Sequence, residues 1–228
     1  MNLRLITLAI SGILLASSFT VIANDQYIFD ENFGNNPSII KISDNIFAIA
    51  YTGPENIGLL KTIEINNDGE IVKKIINSIE FEPIICNDPS IIQICDNIYA
   101  IAYSGEFGSG FIKTIEIGIN GRISESIIFT YQYAERNVNQ PNLIHFYEDY
   151  YGVAYGDQGT LKVLKIDNRG RIEELSEYIS GISFSASDGL SPYMFHIREN
   201  IFGVVFTGDY DTGGLVTFAI EITDVDVS

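Results

Sequence analysis

Short blocks of apolar and polar positions recur along this chain on a fixed ruler. Four blocks open with a proline, at Pro37, Pro89, Pro141 and Pro192, spaced 52, 52 and 51 residues apart. They read PSIIKISDNIFAIAYTG, PSIIQICDNIYAIAYSG, PNLIHFYEDYYGVAYGD and PYMFHIRENIFGVVFTG. Each holds an apolar stretch, then a turn pair: Asp44-Asn45, Asp96-Asn97, Glu148-Asp149 or Glu199-Asn200. Such residues tolerate tight turns. Next comes a stretch apolar on both faces, Ile46 to Tyr51, Ile98 to Tyr103, Tyr150 to Tyr155 and Ile201 to Phe206. That pattern marks a strand covered on both sides. A glycine-bearing loop leads to a third stretch: Leu59 to Ile65, Phe111 to Ile117, Leu161 to Ile166 and Leu215 to Ile222. Hairpin signals follow at Asp68-Gly69, Asn120-Gly121 and Arg169-Gly170, and a fourth stretch starts at Ile71, Ile123 and Ile172.

Four antiparallel strands per unit, at a period near 50, predict the blade of a β-propeller. The expected fold is all-β: a four-bladed β-propeller of four-stranded antiparallel blades. The second stretch supplies small residues in two rows, Ala48, Ala100, Gly152, Gly203 and Ala50, Ala102, Ala154, Val205. Large neighbours alternate with them, as tapered interiors require. The last copy stops after its third stretch. Tyr27 and Phe29 stand where Ile79 and Phe81 stand in the first copy. Gln26 to Asp30 is therefore expected to be the missing fourth strand, pairing with the third strand of the last copy and closing the ring. Two architectures compete with this one. The first is half of a larger ring, a dimeric eight-bladed one. The second is a linear solenoid, for which no capping repeats are visible.

Residues 1–23 read as a secretory signal: Arg4, a nearly uninterrupted apolar run from Leu5 to Leu15, and the small-residue site Val21-Ile22-Ala23. An uncleaved anchor is the alternative. Residues 24–228 form one β-propeller domain, expected outside the cell or on its surface, with no membrane insertion after cleavage. The chain has 13 Lys and Arg against 30 Asp and Glu, a formal charge of -17. Loss of Arg4 takes it to -18. This excludes nucleic acid as a partner, because such binding needs cations to displace counterions. Cys86 and Cys95 are expected to stay unbridged. Extended chain rises about 3.3 Å per residue, which sets them too far apart unless the loop folds back tightly.

The run from Asp96 to Gly105, DNIYAIAYSG, followed by Phe111 to Ile117, FIKTIEI, resembles the tandem propeller repeats of secreted and cell-surface proteins in methanogenic archaea and bacteria. The resemblance extends over all four copies, although Gly156-Asp157 replaces the Ser/Thr-Gly pair in the third. It implies location and architecture, and transfers no catalytic residue. In blade count alone the chain is similar to hemopexin-like domains.

Candidate chemistry lies where the copies differ. The fourth residue after each proline is polar, Lys41, Gln93, His145 and His196, and is expected as a ring in the central channel. Loops of the divergent third and fourth copies offer binding candidates: Asp157, Gln158, Asp209, Tyr210 and Asp211. The Asp209-Tyr210-Asp211 loop has glycines around it, but two carboxylates fall short of the six to eight oxygens calcium takes. No cofactor or metal is expected. The two histidines share one scaffold row, leaving a Ser-His-Asp arrangement without a home. The expected function is a non-enzymatic binding module, monomeric, with a protein or glycan partner. The alternatives are a propeller glycoside hydrolase with paired carboxylates and a structural module of a cell envelope.

Overall fold

The computed structural model describes residues 25–156, 158–175, 182–185 and 189–221. The predicted signal segment and Asp157 lie outside the described residues. Four antiparallel sheets follow one another along the chain. Sheet 1 holds β1 (Asn35–Lys41), β2 (Ile46–Thr52), β3 (Gly58–Ile65) and β4 (Ile71–Glu82) in sequence order. Sheet 2 repeats it with β5 (Asn87–Cys95), β6 (Ile98–Ser104), β7 (Gly110–Glu116) and β8 (Phe129–Ala134). Sheet 3 has β9 (Asn142–Tyr147), β10 (Tyr150–Tyr155) and β11 (Thr160–Ile166), with β12 (Ile172–Glu174) and β13 (Ile182–Ser183) both paired to β11. Sheet 4 has β14 (Leu190–Arg198), β15 (Ile201–Thr207) and β16 (Gly213–Ala219). Among the described residues no helix is long and apolar enough to cross a membrane. Both thiols are free, and Cys86 is buried.

The turns follow from their residues. Gly69, Gly121 and Gly170 close the turns after β3, β7 and β11 with φ of 81°, 81° and 77°, a region glycine enters without penalty. Beside them Asn66 Oδ1 accepts the N–H groups of Asp68 and Glu70, and Asp167 Oδ1 those of Arg169 and Arg171. The chain reverses tightly because side chain and backbone agree there.

Successive sheets interlock through their second strands. Ala48, Ala50 and Leu60 of sheet 1 receive Ile91, Tyr99 and Tyr103 of sheet 2. Ala100, Ala102 and Ile112 of sheet 2 receive Leu143, Tyr151 and Val153 of sheet 3. Ala154 and Leu161 of sheet 3 receive Met194, Phe202 and Val204 of sheet 4. Buried hydroxyls stitch the same seams: Thr62 Oγ1 donates to Gly121 O at 2.6 Å, and Thr114 Oγ1 to Gly170 O at 2.7 Å.

The end of each fourth strand fastens to the sheet that follows. Phe81 lies edge-on to Tyr103, and Glu82 accepts from the Tyr103 hydroxyl and pairs with Lys113 at 3.0 Å. Lys113 Nζ also donates to Phe81 O. The N-terminal segment makes the same contacts 52 residues earlier. Phe29 lies edge-on to Tyr51, while Asp30 accepts from Tyr51 at 2.6 Å and from Lys61 at 2.7 Å. Asp25 Oδ2 accepts the Ile71 N–H as Asn77 Oδ1 accepts the Ile123 N–H. Residues 25–30 thus dock on sheet 1 as the end of a preceding fourth strand would.

The expected strand at Gln26 to Asp30 is nevertheless absent: no strand spans these residues, and β16 carries no fourth strand among the described residues. The physical reason lies at the seam between sheets 4 and 1. Ile39 is 57% exposed, whereas its equivalents Ile91, Leu143 and Met194 are buried. Leu215 is 61% exposed, whereas its equivalents Leu60, Ile112 and Leu161 are buried. With that seam unpacked, the edge of β16 does not meet the docked segment.

Burial opposes the charge of Glu82, yet bonds from Tyr103, the Ile84 N–H and Lys113 hold its carboxyl below the usual glutamate range. Folding therefore gains from this carboxylate above that range and loses the gain as pH falls through the lowered value. Glu82→Ala should cost about 2 kcal/mol at neutral pH, less than a fully orphaned pair because Lys113 keeps the Phe81 carbonyl. Urea unfolding should show the deficit at pH 7 and its progressive disappearance on acidification.

Candidate functional site

The residues just before the four ruler prolines are Asn36, Asp88, Gln140 and Ser191. Proline disfavours the right-handed helical region for its predecessor. All four instead adopt left-handed φ, at 47°, 51°, 46° and 49°. Outside glycine this conformation is uncommon, with Asn and Asp enriched in it. The four residues stand at or just before the starts of the first strands of four sheets, and bonds join them in a row. Asn36 Nδ2 donates to Asp88 Oδ1 at 2.5 Å. The Gln140 backbone N–H donates to the Asp88 carboxylate. Ser191 Oγ donates to Gln140 Oε1.

A second row, one residue after each proline on the chain, spans the same seams. Ser38 Oγ accepts the Ile91 N–H, Ser90 Oγ the Leu143 N–H and Asn142 Oδ1 the Met194 N–H. Tyr193 replaces the short polar residue in the fourth copy and points its bulk to solvent. Both rows therefore run from sheet 1 to sheet 4, and among the described residues no bond carries either from sheet 4 back to sheet 1. Between the rows lies a pocket of 260 Å³ whose polar lining includes Asn36, Asp88, Gln140 and Asn142. Burial pushes the Asp88 carboxyl up, and the Gln140 N–H offsets part of that shift.

The loops joining second to third strands surround the same mouth, because pairs such as Asn35–Thr52, Asn87–Ser104 and Leu190–Thr207 set the end of each second strand beside the start of the first. Three of these loops are single 3₁₀ turns, Pro54–Asn56, Glu106–Gly108 and Asp209–Asp211. Their middle residues, Glu55, Phe107 and Tyr210, take φ of 57°, 56° and 56°. For a bulky side chain that backbone is strained. Phe107 is 89% exposed and Tyr210 fully exposed, so neither ring is held by packing.

The sequence candidates divide between the two ends of the sheets. Tyr210, Asp209 and Asp211 stand on the rim of the pocket mouth, where Thr212 Oγ1 donates to Asp209 O. Gln158 occupies the matching place in sheet 3 with φ of 61°, and its carbonyl accepts from Ser183 Oγ. Asp157 lies outside the described residues. Of the residues expected as a channel ring, Lys41, Gln93, His145 and His196, three bond to their own turns. Gln93 Nε2 donates to Asp96 O, His145 Nε2 to Glu148 O and His196 Nε2 to Glu199 O, each satisfying its own hairpin turn. Lys41 is exposed at the same position. No bond among the described residues joins one member of this row to another. No group of three or more His, Cys, Asp or Glu able to hold a metal occurs among the described residues.

Sequence reasoning missed the residues before the prolines. Their small polar character, Asn, Asp, Gln and Ser, was the available signal.

No protein-family model matches this chain, and no curated protein matches it. Solved structures do resemble it. A protein from Lactobacillus plantarum superposes with a TM-score of 0.52 at 14% identity, over 79% of this chain and 56% of that one. Sqt1 from Chaetomium thermophilum gives 0.51 at 11% identity, over 79% and 43%. The GH43 protein BlXynB from Bacillus licheniformis gives 0.49 at 11% identity, over 82% and 39%. The chain spans about half the length of the first two. At these identities the likeness establishes the fold alone: all-β, propeller-like, built from four antiparallel sheets.

Proposed function

We propose that this chain is a secreted or cell-surface binding module, non-enzymatic, which takes a glycan at the mouth of the residues preceding the prolines. The observation that carries the reading is the meeting of Asn36, Asp88 and Gln140 from three sheets at one polar pocket. Amide and carboxylate groups side by side suit the adjacent hydroxyls of a sugar, and exposed rings on the rim offer stacking faces. Loops on a rigid scaffold are the common place for such contacts. A glycosidase pair needs two carboxylates roughly 5 to 9.5 Å apart. The described pocket lining supplies Asp88, with Asp209 and Asp211 on the rim.

The same reading includes the complete ring. Residues 25–30 repeat the contacts of a fourth-strand end, so a four-bladed propeller closed by Gln26 to Asp30 on β16 needs only the approach of sheet 4 to sheet 1. The acidity of the chain, at -17, fits a soluble extracellular surface.

Asp88 gives a test of purpose. Its raised carboxyl means that the native state holds the proton more tightly than the unfolded chain does. Ionisation therefore costs stability above the native value, and the cost vanishes below the ordinary value of 3.8. Asp88→Asn should raise the urea midpoint at pH 7, with the gain fading as pH falls through the carboxylate range. A variant that is stabilised yet loses its ligand identifies a residue kept for function.

The ligand class is tested on a glycan array with labelled protein. Specific hits that disappear in Asp88→Asn and weaken roughly tenfold or more in Tyr210→Ala support the reading. A blank array from folded protein overturns it.

A further inference from the structure

At the opposite end of sheets 3 and 4 lies an apolar cleft of 430 Å³ lined by Phe146, Tyr147, Glu199, Asn200, Phe202 and Ile220. Its origin can be read from the repeat. The N–H groups of Ile117, Ile166 and Ile220 all donate to the hairpin carbonyl of their own sheet, from Asn97, Asp149 and Asn200. These three isoleucines are therefore equivalent. Ile117 bridges to buried Ile123, and Ile166 pairs with buried Ile172. Ile123, ahead of β8, and Ile172, at the start of β12, both pack into the seam with the preceding sheet. Sheet 4 has no such partner among the described residues, and the cleft stands where it would sit. Closure by Gln26 to Asp30 would leave it open as well, because that segment corresponds to Ser78–Glu82, the far half of β4.

We propose that this cleft accepts a short extended segment of a partner protein, which pairs with the end of β16 and seats one branched aliphatic side chain between Phe146, Phe202 and Ile220. The filled seams show the mode. The Ser124 N–H donates to Glu116 O at 2.9 Å beside the Ile117–Ile123 bridge. The Ala219 carbonyl holds the place of Glu116 in sheet 4, since both residues pair with the first residue of their second strand. Adding a strand to a sheet edge supplies affinity through the backbone and specificity through alternate side chains. Charge selects a basic residue next to the aliphatic one. Glu199 lines the cleft of a strongly acidic chain, and of the residues preceding the equivalent Ile71, Ile123 and Ile172, namely Glu70, Arg122 and Arg171, two are basic.

The probe is a dye-labelled peptide copying Gly121–Ser126 of this chain, titrated against the full chain by fluorescence polarisation and by NMR to millimolar concentration. Saturable binding is expected. It should fall roughly tenfold or more when the isoleucine of the peptide is replaced by aspartate, the equivalent of one buried aliphatic side chain. The protein variant Ile220→Asp should abolish it. Glu199→Lys, at an exposed turn, should weaken it roughly three- to fivefold without disturbing the core. No saturable binding overturns the proposal, and so does equal binding of the aspartate peptide. Binding that appears only after residues 222–228 are removed assigns the cleft to the chain's own tail and also overturns it.

Discussion

Everything in this molecule depends on a small-to-large interlock between neighbouring sheets. The second strands of sheets 1 to 3 carry alanines, and the shallow trough above them is filled by tyrosine, phenylalanine and branched residues of the next sheet. Burial of each large side chain is worth about 1.5–3 kcal/mol, so a seam of several outweighs any polar contact beside it. The interlock has a direction. A sheet gives its trough forward and its large residues backward, and the two terminal sheets are therefore unlike. Sheet 4 leaves Val205 and Leu215 exposed, while the Phe195 ring covers Gly203, and sheet 1 keeps Ile49, Tyr51 and Ile63 under its own neighbours and Phe29.

The same interlock positions the pocket. Because each seam has one register, the starts of the first strands come together at one end, and their polar residues bond across seams without help from long loops. Left-handed backbone at four non-glycine positions is tolerated there because the seams on either side are already determined by packing. A carboxylate is held among partners that an asparagine could satisfy as well, which separates its purpose from that of Glu82, a residue whose charge the fold uses.

The strands and their repeat were legible in the sequence because turn residues and two-sided apolar stretches are local signals. The role of Phe29 and Asp30 was legible as an offset of 52 residues from Phe81 and Glu82. Their expected pairing with β16 does not form among the described residues, since it depends on the approach of two sheets far apart in the chain. The row of Lys41, Gln93, His145 and His196 stood out as polar positions in apolar windows. In the copies carrying Gln93, His145 and His196 the polar side chain bonds the carbonyl of the turn three residues on. Asn36, Asp88, Gln140 and Ser191 were visible only as residue types. Their left-handed backbone, which aims the side chains across the seams, has no counterpart in composition or period.

The fastening of the seams changes in kind along the chain. The docked N-terminal segment and the first seam are held by carboxylate, lysine and tyrosine. The second keeps lysine on a carbonyl, Lys162 on Tyr133, with Tyr133 against Tyr155. At the third, Phe184 lies against Phe206, and among the described residues no lysine or carboxylate joins them there. Apolar association weakens on cooling, whereas a carboxylate pairing weakens with acid. Cold would therefore loosen the molecule from its last sheet and acid from its first, so that two mild stresses open it from opposite ends.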